Sequence, residues 1–165
     1  MPYRTYNSPV GVLTLVATDT GLSAVWWPED SRTTELGEEQ SEHPILEQAA
    51  RELDEYFAGE RRRFDIALEP RGTAFQQAAW QVLRQIPYGT TISYAEQARR
   101  LGDPAKARAA GAADGRNPLS IIVPCHRVVA TSGALTGFAG GVEAKSWLLT
   151  FEREHAAAHP VGGVP

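Results

Sequence analysis

The chain has 165 residues, 42% hydrophobic and 22% charged, with a net charge of −4: a composition that suits one globular domain or two small ones and argues weakly against nucleic acid as a partner. No apolar run approaches the roughly 20 residues needed to span a bilayer, and Met1 leads directly into polar sequence, so no membrane association is expected. A single cysteine, Cys125, excludes an intramolecular disulfide and fits a reducing, cytoplasmic setting, while His43, His126, His155 and His159 show no zinc-ligand spacing, so no metal or cofactor is expected.

From the amino terminus, PYRTYNSPVGVLTLVATDTGLSAVWW is rich in β-branched and aromatic residues and is punctuated by Ser8-Pro9-Val10-Gly11 and Asp19-Thr20-Gly21. This pattern predicts three short antiparallel strands joined by tight turns. Residues 28–43 are polar and acidic, a loop. From Pro44 to Phe57 the apolar positions Ile45, Leu46, Ala49, Leu53, Tyr56 and Phe57 recur at helical spacing, with Gly59 as a stop signal. Arg61, Arg62 and Arg63 lie between Glu60 and Asp65 and read as a solvated loop. The fold class is α/β (α+β), with residues 1–69 a small antiparallel β domain carrying one helix.

A second, mostly helical domain begins near Pro70. Thr73 can cap a helix whose stripe is Phe75, Ala79, Trp80, Val82, Leu83 and Ile86, with Trp80 and Phe75 as core candidates. Ser93 and Glu96 have capping-box spacing and open a short helix to Leu101. After the turn Gly102-Asp103-Pro104, a second helix runs from Ala105 to Asp114, which together make a helix-turn-helix. Apart from Lys106 and Arg108, this second helix is nearly all Ala and Gly until Asp114. Such a surface packs tightly against a neighbour or approaches DNA closely. It lacks the long polar side chains that read base edges in the major groove, so sequence-independent minor-groove contact is the better match. Charge agrees: residues 1–75 carry net −7, residues 76–127 net +4 and residues 128–165 net −1. Beyond IIVPCHRVV, Thr131 to Ala134 is a hairpin-type turn and Leu135 to Gly141 a flexible loop. A last helix from Val142 to about Glu154 is expected to turn Trp147, Leu148 and Phe151 inward, and residues 156–165 to form a disordered tail.

Cys125 sits between Pro124 and the pair His126–Arg127, a costly place for two cations after a buried apolar run unless they serve something. The nucleophile is a thiolate, and a cysteine near pKa 8.5 is mostly a thiol at neutral pH, so a base or a positive charge must activate it. Neighbours on an extended chain face opposite ways, so either the chain turns at Pro124 or a water bridges Cys125 and His126. The imidazole then needs an orienting carboxylate, and Glu152 on the last helix is the nearest plausible supplier.

These segments resemble the O6-alkylguanine-DNA alkyltransferases, the methylated-DNA–protein-cysteine methyltransferases. The resemblance covers roughly residues 70–155 through FQQAAWQVLRQIPYGTTISYAEQA, AKARAAG, GRNP, IIVPCHRVV, SGALTGFAGG and AKSWLL, with PCHRV matching the active-site signature; the amino-terminal strands fit the family's β-rich domain more loosely. It implies irreversible transfer of an alkyl group from O6-alkylguanine, and O4-alkylthymine, in double-stranded DNA to Cys125, once per molecule, by a monomer without cofactor or metal. His126, through a water, and Glu152 would lower the thiol pKa and take its proton; Asn117 would brace the active-site loop; Tyr94 would donate a hydrogen bond or proton to the departing guanine. Arg108 would fill the stack left by the flipped nucleotide, with Ser93, Ala109 and Arg116 also at the DNA. Val128, Phe138, Ala139 and Ser120 would line the base and alkyl pocket. Phe138 and Ala139 stand where some members carry Tyr and Ser, and Ser120 where some carry Pro, which bears on the range of alkyl groups accepted. The extra cysteines of the family's zinc-binding variants and its phosphotriester-sensing module are not expected here. Three rivals differ from this reading. A non-catalytic lesion binder would lack Cys125, a helix-turn-helix regulator would need base-reading side chains, and a cysteine hydrolase using Cys125, His126 and Glu152 would turn over repeatedly.

Overall fold

A computed structural model describes residues 1–40, 42–135 and 138–158, which fall into two compact units divided between Arg71 and Gly72. In the first unit, β1 (Tyr3–Ser8), β2 (Gly11–Ala17) and β3 (Leu22–Trp26) form an antiparallel sheet in that order, as the turn residues predict. The central strand β2 is covered on both faces, so Leu13, Thr14, Leu15, Val16 and Ala17 are all buried where an edge strand would alternate. A register shift at Val16/Ala17 marks a bulge. Helix α1 (Pro44–Phe57) starts with Pro at its first turn and His43 as N-cap, and buries Leu46, Ala49, Leu53 and Tyr56. The Tyr6 hydroxyl ties strand to helix by donating to Asp54 Oδ1 at 2.7 Å. The arginine run is only partly solvated: Arg61 pairs with Glu55 at 2.8 Å and Asp65 at 3.1 Å.

The second unit opens with α2 (Ala74–Arg84) under a complete capping box, Thr73 and Gln76 each bonding the other's backbone N–H. Then come β4 (Ile92–Ser93), α3 (Tyr94–Arg100), α4 (Ala107–Gly115), β5 (Val128–Val129) and α5 (Val142–Ala158). Ser93 caps α3 through Glu96 N, but the Glu96 carboxylate turns to Arg99 and Arg100, so the capping box is only half made. The small-residue helix α4 serves packing on one side: Ala110 and Ala113 are buried, and the Ala113 carbonyl accepts the Trp80 indole N–H at 2.8 Å. Its other side, with Arg108, Ala109 and Arg116, is exposed. The turn at 130–134 is closed by Gly133 N–H to the Ala130 carbonyl at 2.7 Å and Ala130 N–H to the Ala134 carbonyl at 3.1 Å, while β5 before it pairs with β4 in parallel.

Two expectations about apolar positions are corrected. Phe75 is half-buried, with Lys106 Nζ 5.5 Å from its ring centroid. On α5 the inward stripe is Ala144, Lys145, Leu148, Leu149 and Glu152; Trp147 and Phe151 flank it, half-buried and stacked on each other at 4.9 Å. The helix also runs on through Ala156, Ala157 and Ala158, residues of high helix propensity expected in the tail. The rest of that tail, 159–165, lies outside the described residues, as do Thr136 and Gly137 in the 135–141 loop.

Gly89, in the turn before β4, has φ +79, and a Cβ there would come within 2.6 Å of the Ala156 Cβ on α5. Gly102 has φ +97 with open space around it. Gly102→Ala should therefore lose only the cost of left-handed backbone, about 1–2 kcal/mol. Gly89→Ala should lose that plus a displacement of α5, a larger drop in a urea titration. Equal losses would mean α5 does not rest on residue 89.

Candidate active site

The site is built on a turn. Pro124 has φ −81 and ψ 67, and the Cys125 N–H donates to the Val123 carbonyl across it at 2.8 Å, the geometry of an inverse γ-turn. Proline supplies the φ and lacks an N–H that would otherwise need a partner. Residues Cys125–Arg127 then form one 3-10 turn, closed by Arg127 N–H to the Pro124 carbonyl at 3.0 Å. The chain is thus not extended here, and this coiling brings the His126 and Arg127 side chains to the same buried carboxylate.

Before the turn, residues 117–123 fold back on themselves. Asn117 Nδ2 donates to the Val123 carbonyl at 2.8 Å, and its Oδ1 accepts from Leu119 N at 3.0 Å. Ser120 is buried in this loop, and Ile121 follows with φ 75, the one non-glycine residue with positive φ among those described. A β-branched residue in that region is strained and persists only when its surroundings over-determine it. Asn117 and the buried Ile121 side chain do so here.

Glu152 is the hub, with 0% of its surface exposed. Its Oε2 meets His126 Nε2 at 2.7 Å; Arg127 Nε donates to Oε1 at 2.7 Å and Arg127 Nη2 to Oε2 at 2.9 Å. Arg127 Nη1 donates to the Ile86 carbonyl at 2.8 Å. Arg127, a candidate for activating the sulfur directly, is thus engaged with Glu152 instead. Burial opposes the Glu152 charge, but His126 and Arg127 outweigh it and hold the carboxyl far below the usual carboxylate range. Burial pushes His126 below its ordinary value of 6.5 against the pull of Glu152. The imidazole is therefore neutral, with Nε2–H donating to Glu152, which leaves Nδ1 a lone-pair acceptor; among the described residues Nδ1 has no hydrogen-bond partner. Burial raises the Cys125 thiol to about 11; the Asn117 amide and Lys145 pull it down and Asp114 adds to the rise. The resting sulfur is a thiol beside a relay that can take its proton.

Cys125, His126, Asn117 and Glu152 form one buried cluster, and buried Val128 continues from it as β5. Tyr94, half-buried at the start of α3, faces Gly111 of α4, where a Cβ would lie 3.5 Å from its ring. Phe138 is half-buried and Ala139 exposed on the loop before α5. Among the described residues, no group of three His, Cys, Asp or Glu side chains could hold a metal ion. Sequence reasoning missed Lys145, Asp114 and Gln97, all buried. The signal for Lys145 was its place seven residues before Glu152 on one helical face.

Replacing Glu152 with Gln leaves the buried guanidinium of Arg127 without a counter-charge. Loss of one partner from such a pair costs about 3–5 kcal/mol, the fall expected for Glu152→Gln in reversible urea unfolding. A change under about 1 kcal/mol would show that the pair is not buried in solution.

A family model described as 6-O-methylguanine DNA methyltransferase, DNA binding domain, matches residues 74–154, and one described as the ribonuclease-like domain of the same family matches residues 1–70. A methylated-DNA–protein-cysteine methyltransferase of Mycolicibacterium paratuberculosis is 46% identical over 161 residues, covering 94% of each chain. A protein of the same name from Methanosarcina acetivorans is 42% identical over 153 residues, 92% of this chain and 98% of that one. A crystal structure of a Mycobacterium tuberculosis protein in complex with DNA superposes with a TM-score of 0.87 at 44% identity, covering 94% of each chain.

Proposed function

This chain belongs to the 6-O-methylguanine DNA methyltransferase family, and from that premise we propose that it repairs DNA by moving the alkyl group of O6-alkylguanine onto its own Cys125. The observation that carries this reading is the buried relay: a thiol, then on the same turn a neutral imidazole whose far nitrogen is held by Glu152. His126 Nδ1 takes the thiol proton through a water as Sγ attacks the alkyl carbon in line with the O6–carbon bond. The S–C bond forms, the C–O6 bond breaks, and its electron pair leaves on guanine, which is then protonated, with Tyr94 as donor. Glu152 stabilises the transient imidazolium, and Arg127 keeps Glu152 ionised. A thioether is not hydrolysed, so each molecule acts once.

Residues 70–155 serve as the alkyl-transfer domain, α3 and α4 as a helix-turn-helix at the minor groove, and the protein binds as a monomer. The exposed side of α4 offers Arg108, Ala109 and Arg116 to DNA, near-flat apart from its arginines, which suits contact without base readout. The target nucleotide is flipped out, Arg108 takes its place in the stack, and Ser93 adds a contact at the start of α3. Val128, Ser120, Phe138 and Ala139 surround the extruded base. A reducing cell interior keeps Cys125 a thiol, and among the described residues no helix is long and apolar enough to cross a membrane.

Duplex DNA carrying methyl-labelled O6-methylguanine should leave its label on the Cys125 peptide, one methyl per protein molecule. Cys125→Ala should bind the same DNA and transfer nothing. Label on another residue, or more than one turnover, contradicts the assignment. Arg108→Ala should slow repair in duplex on the order of tenfold, because extrusion costs a few kcal/mol, yet barely change reaction with the free alkylated base. Equal losses on both substrates would remove Arg108 from the extrusion step.

A further inference from the structure

The second unit holds another buried polar cluster that the relay does not use. Asp114 on α4, Gln97 on α3 and Lys145 on α5 have only 5%, 0% and 1% of their surfaces exposed. Gln97 Nε2 donates to Asp114 Oδ1 at 2.8 Å and lies 3.3 Å from the Ala79 carbonyl. Gln97 Oε1 and Asp114 Oδ2, one oxygen from each partner of that bond, have no hydrogen-bond partner among the described residues. Two buried acceptors on joined side chains lack one donor, and a proton on Asp114 supplies it. An ionised Asp114 instead brings a carboxylate within electrostatic range of Lys145 and Cys125.

Burial raises the Asp114 carboxyl to about 7, with Gln97 and Lys145 opposing the rise, so both forms are populated near neutral pH. Burial also lowers the Lys145 ammonium, which Cys125 and Asp114 both favour in its charged form. Lys145 Nζ lies 5.8 Å from the Tyr94 ring centroid. Of the elements around Asp114, α3 brings Gln97 and Tyr94, α5 brings Lys145, and the active-site turn brings Cys125; α2 contributes the Ala79 carbonyl and the Trp80 indole, which do not titrate. His126, on the same turn as Cys125, is coupled to Lys145 but mainly to Glu152.

Resting on the reading of Cys125 as alkyl acceptor, we propose that Asp114 and Lys145 are positioning residues that set the reactivity of the sulfur: Lys145 favours the thiolate while Asp114 is protonated, and ionised Asp114 cancels that help. One pKa unit at the thiol changes the thiolate population tenfold, and the weaker nucleophilicity of a less basic sulfur offsets roughly half of that on a logarithmic scale, leaving about three- to fourfold in rate.

The test compares the full chain with Asp114→Asn, which is nearly isosteric, and with Lys145→Met. Because Cys125 is the sole cysteine, carbon NMR of protein labelled at cysteine Cβ reads its titration alone. The thiol should titrate at lower pH in Asp114→Asn and at higher pH in Lys145→Met. The rate of methyl transfer by Asp114→Asn relative to the unaltered protein should be about one near pH 6, about one unit below the Asp114 midpoint, and should rise to about three- to fourfold above neutrality, the pH dependence common to both cancelling in the ratio. Coincident thiol titrations, or a rate change of the same size at every pH as a purely structural role predicts, overturn the proposal. Shifted titrations in a protein that never methylates Cys125 would sink the functional reading and leave the coupling standing.

Discussion

Everything in the site depends on how one buried carboxylate is satisfied. Glu152 is fully buried, out of reach of bulk solvent, and a lone charge in that position would be neutralised or expelled. Three donors from two consecutive residues of one turn meet it, and a fourth donor from the same arginine reaches the Ile86 carbonyl after α2. The carboxylate therefore stays ionised, the imidazole is held in one tautomer, and α5 is tied to the active-site turn by the same bonds. Orientation of the base and attachment of the last helix are one set of interactions.

That arrangement resolves an apparent conflict. A buried thiol with its pKa raised to about 11 is the opposite of an activated nucleophile if activation means a standing thiolate. In the proposed transfer a neutral acceptor nitrogen on the next residue changes the requirement, since the proton need leave only as the new bond forms. Burial then keeps bulk water away from the sulfur until a substrate arrives. The strained Ile121 and the doubly bonded Asn117 hold the preceding loop in the single shape this closure needs.

The elements with strong local signals were legible in the sequence. Pro44–Phe57 carries a full apolar stripe and Thr73 a reciprocal cap, and both helices form where the pattern puts them. The contact between His126 and Glu152 was legible as a chemical need and through resemblance, not through spacing. The parallel pairing of two-residue strands β4 and β5 was not, because it arises from tertiary packing of stretches too short to show a period. Nor was the fate of Trp147 and Phe151. Reading α5 by hydrophobicity turned the large aromatics inward, whereas the buried stripe joins Ala144, Leu148 and Leu149 to two charged residues, Lys145 and Glu152, whose partners lie elsewhere in the chain. Buried charges escape any reading that equates the core with apolar side chains.

The order of parts along the chain has a consequence for synthesis. The carboxylate that completes the relay follows His126 by 26 positions, at the far end of a helix whose docking depends on contacts made by Glu152 itself. While the polypeptide is being made, the cysteine emerges first and spends that interval as an ordinary solvent-facing thiol with an untethered imidazole next to it. Alkyl transfer by the proposed route becomes available only once the last helix has closed. Until its second unit has folded, the nascent protein therefore has the reactivity of any exposed cysteine and not that of the assembled site.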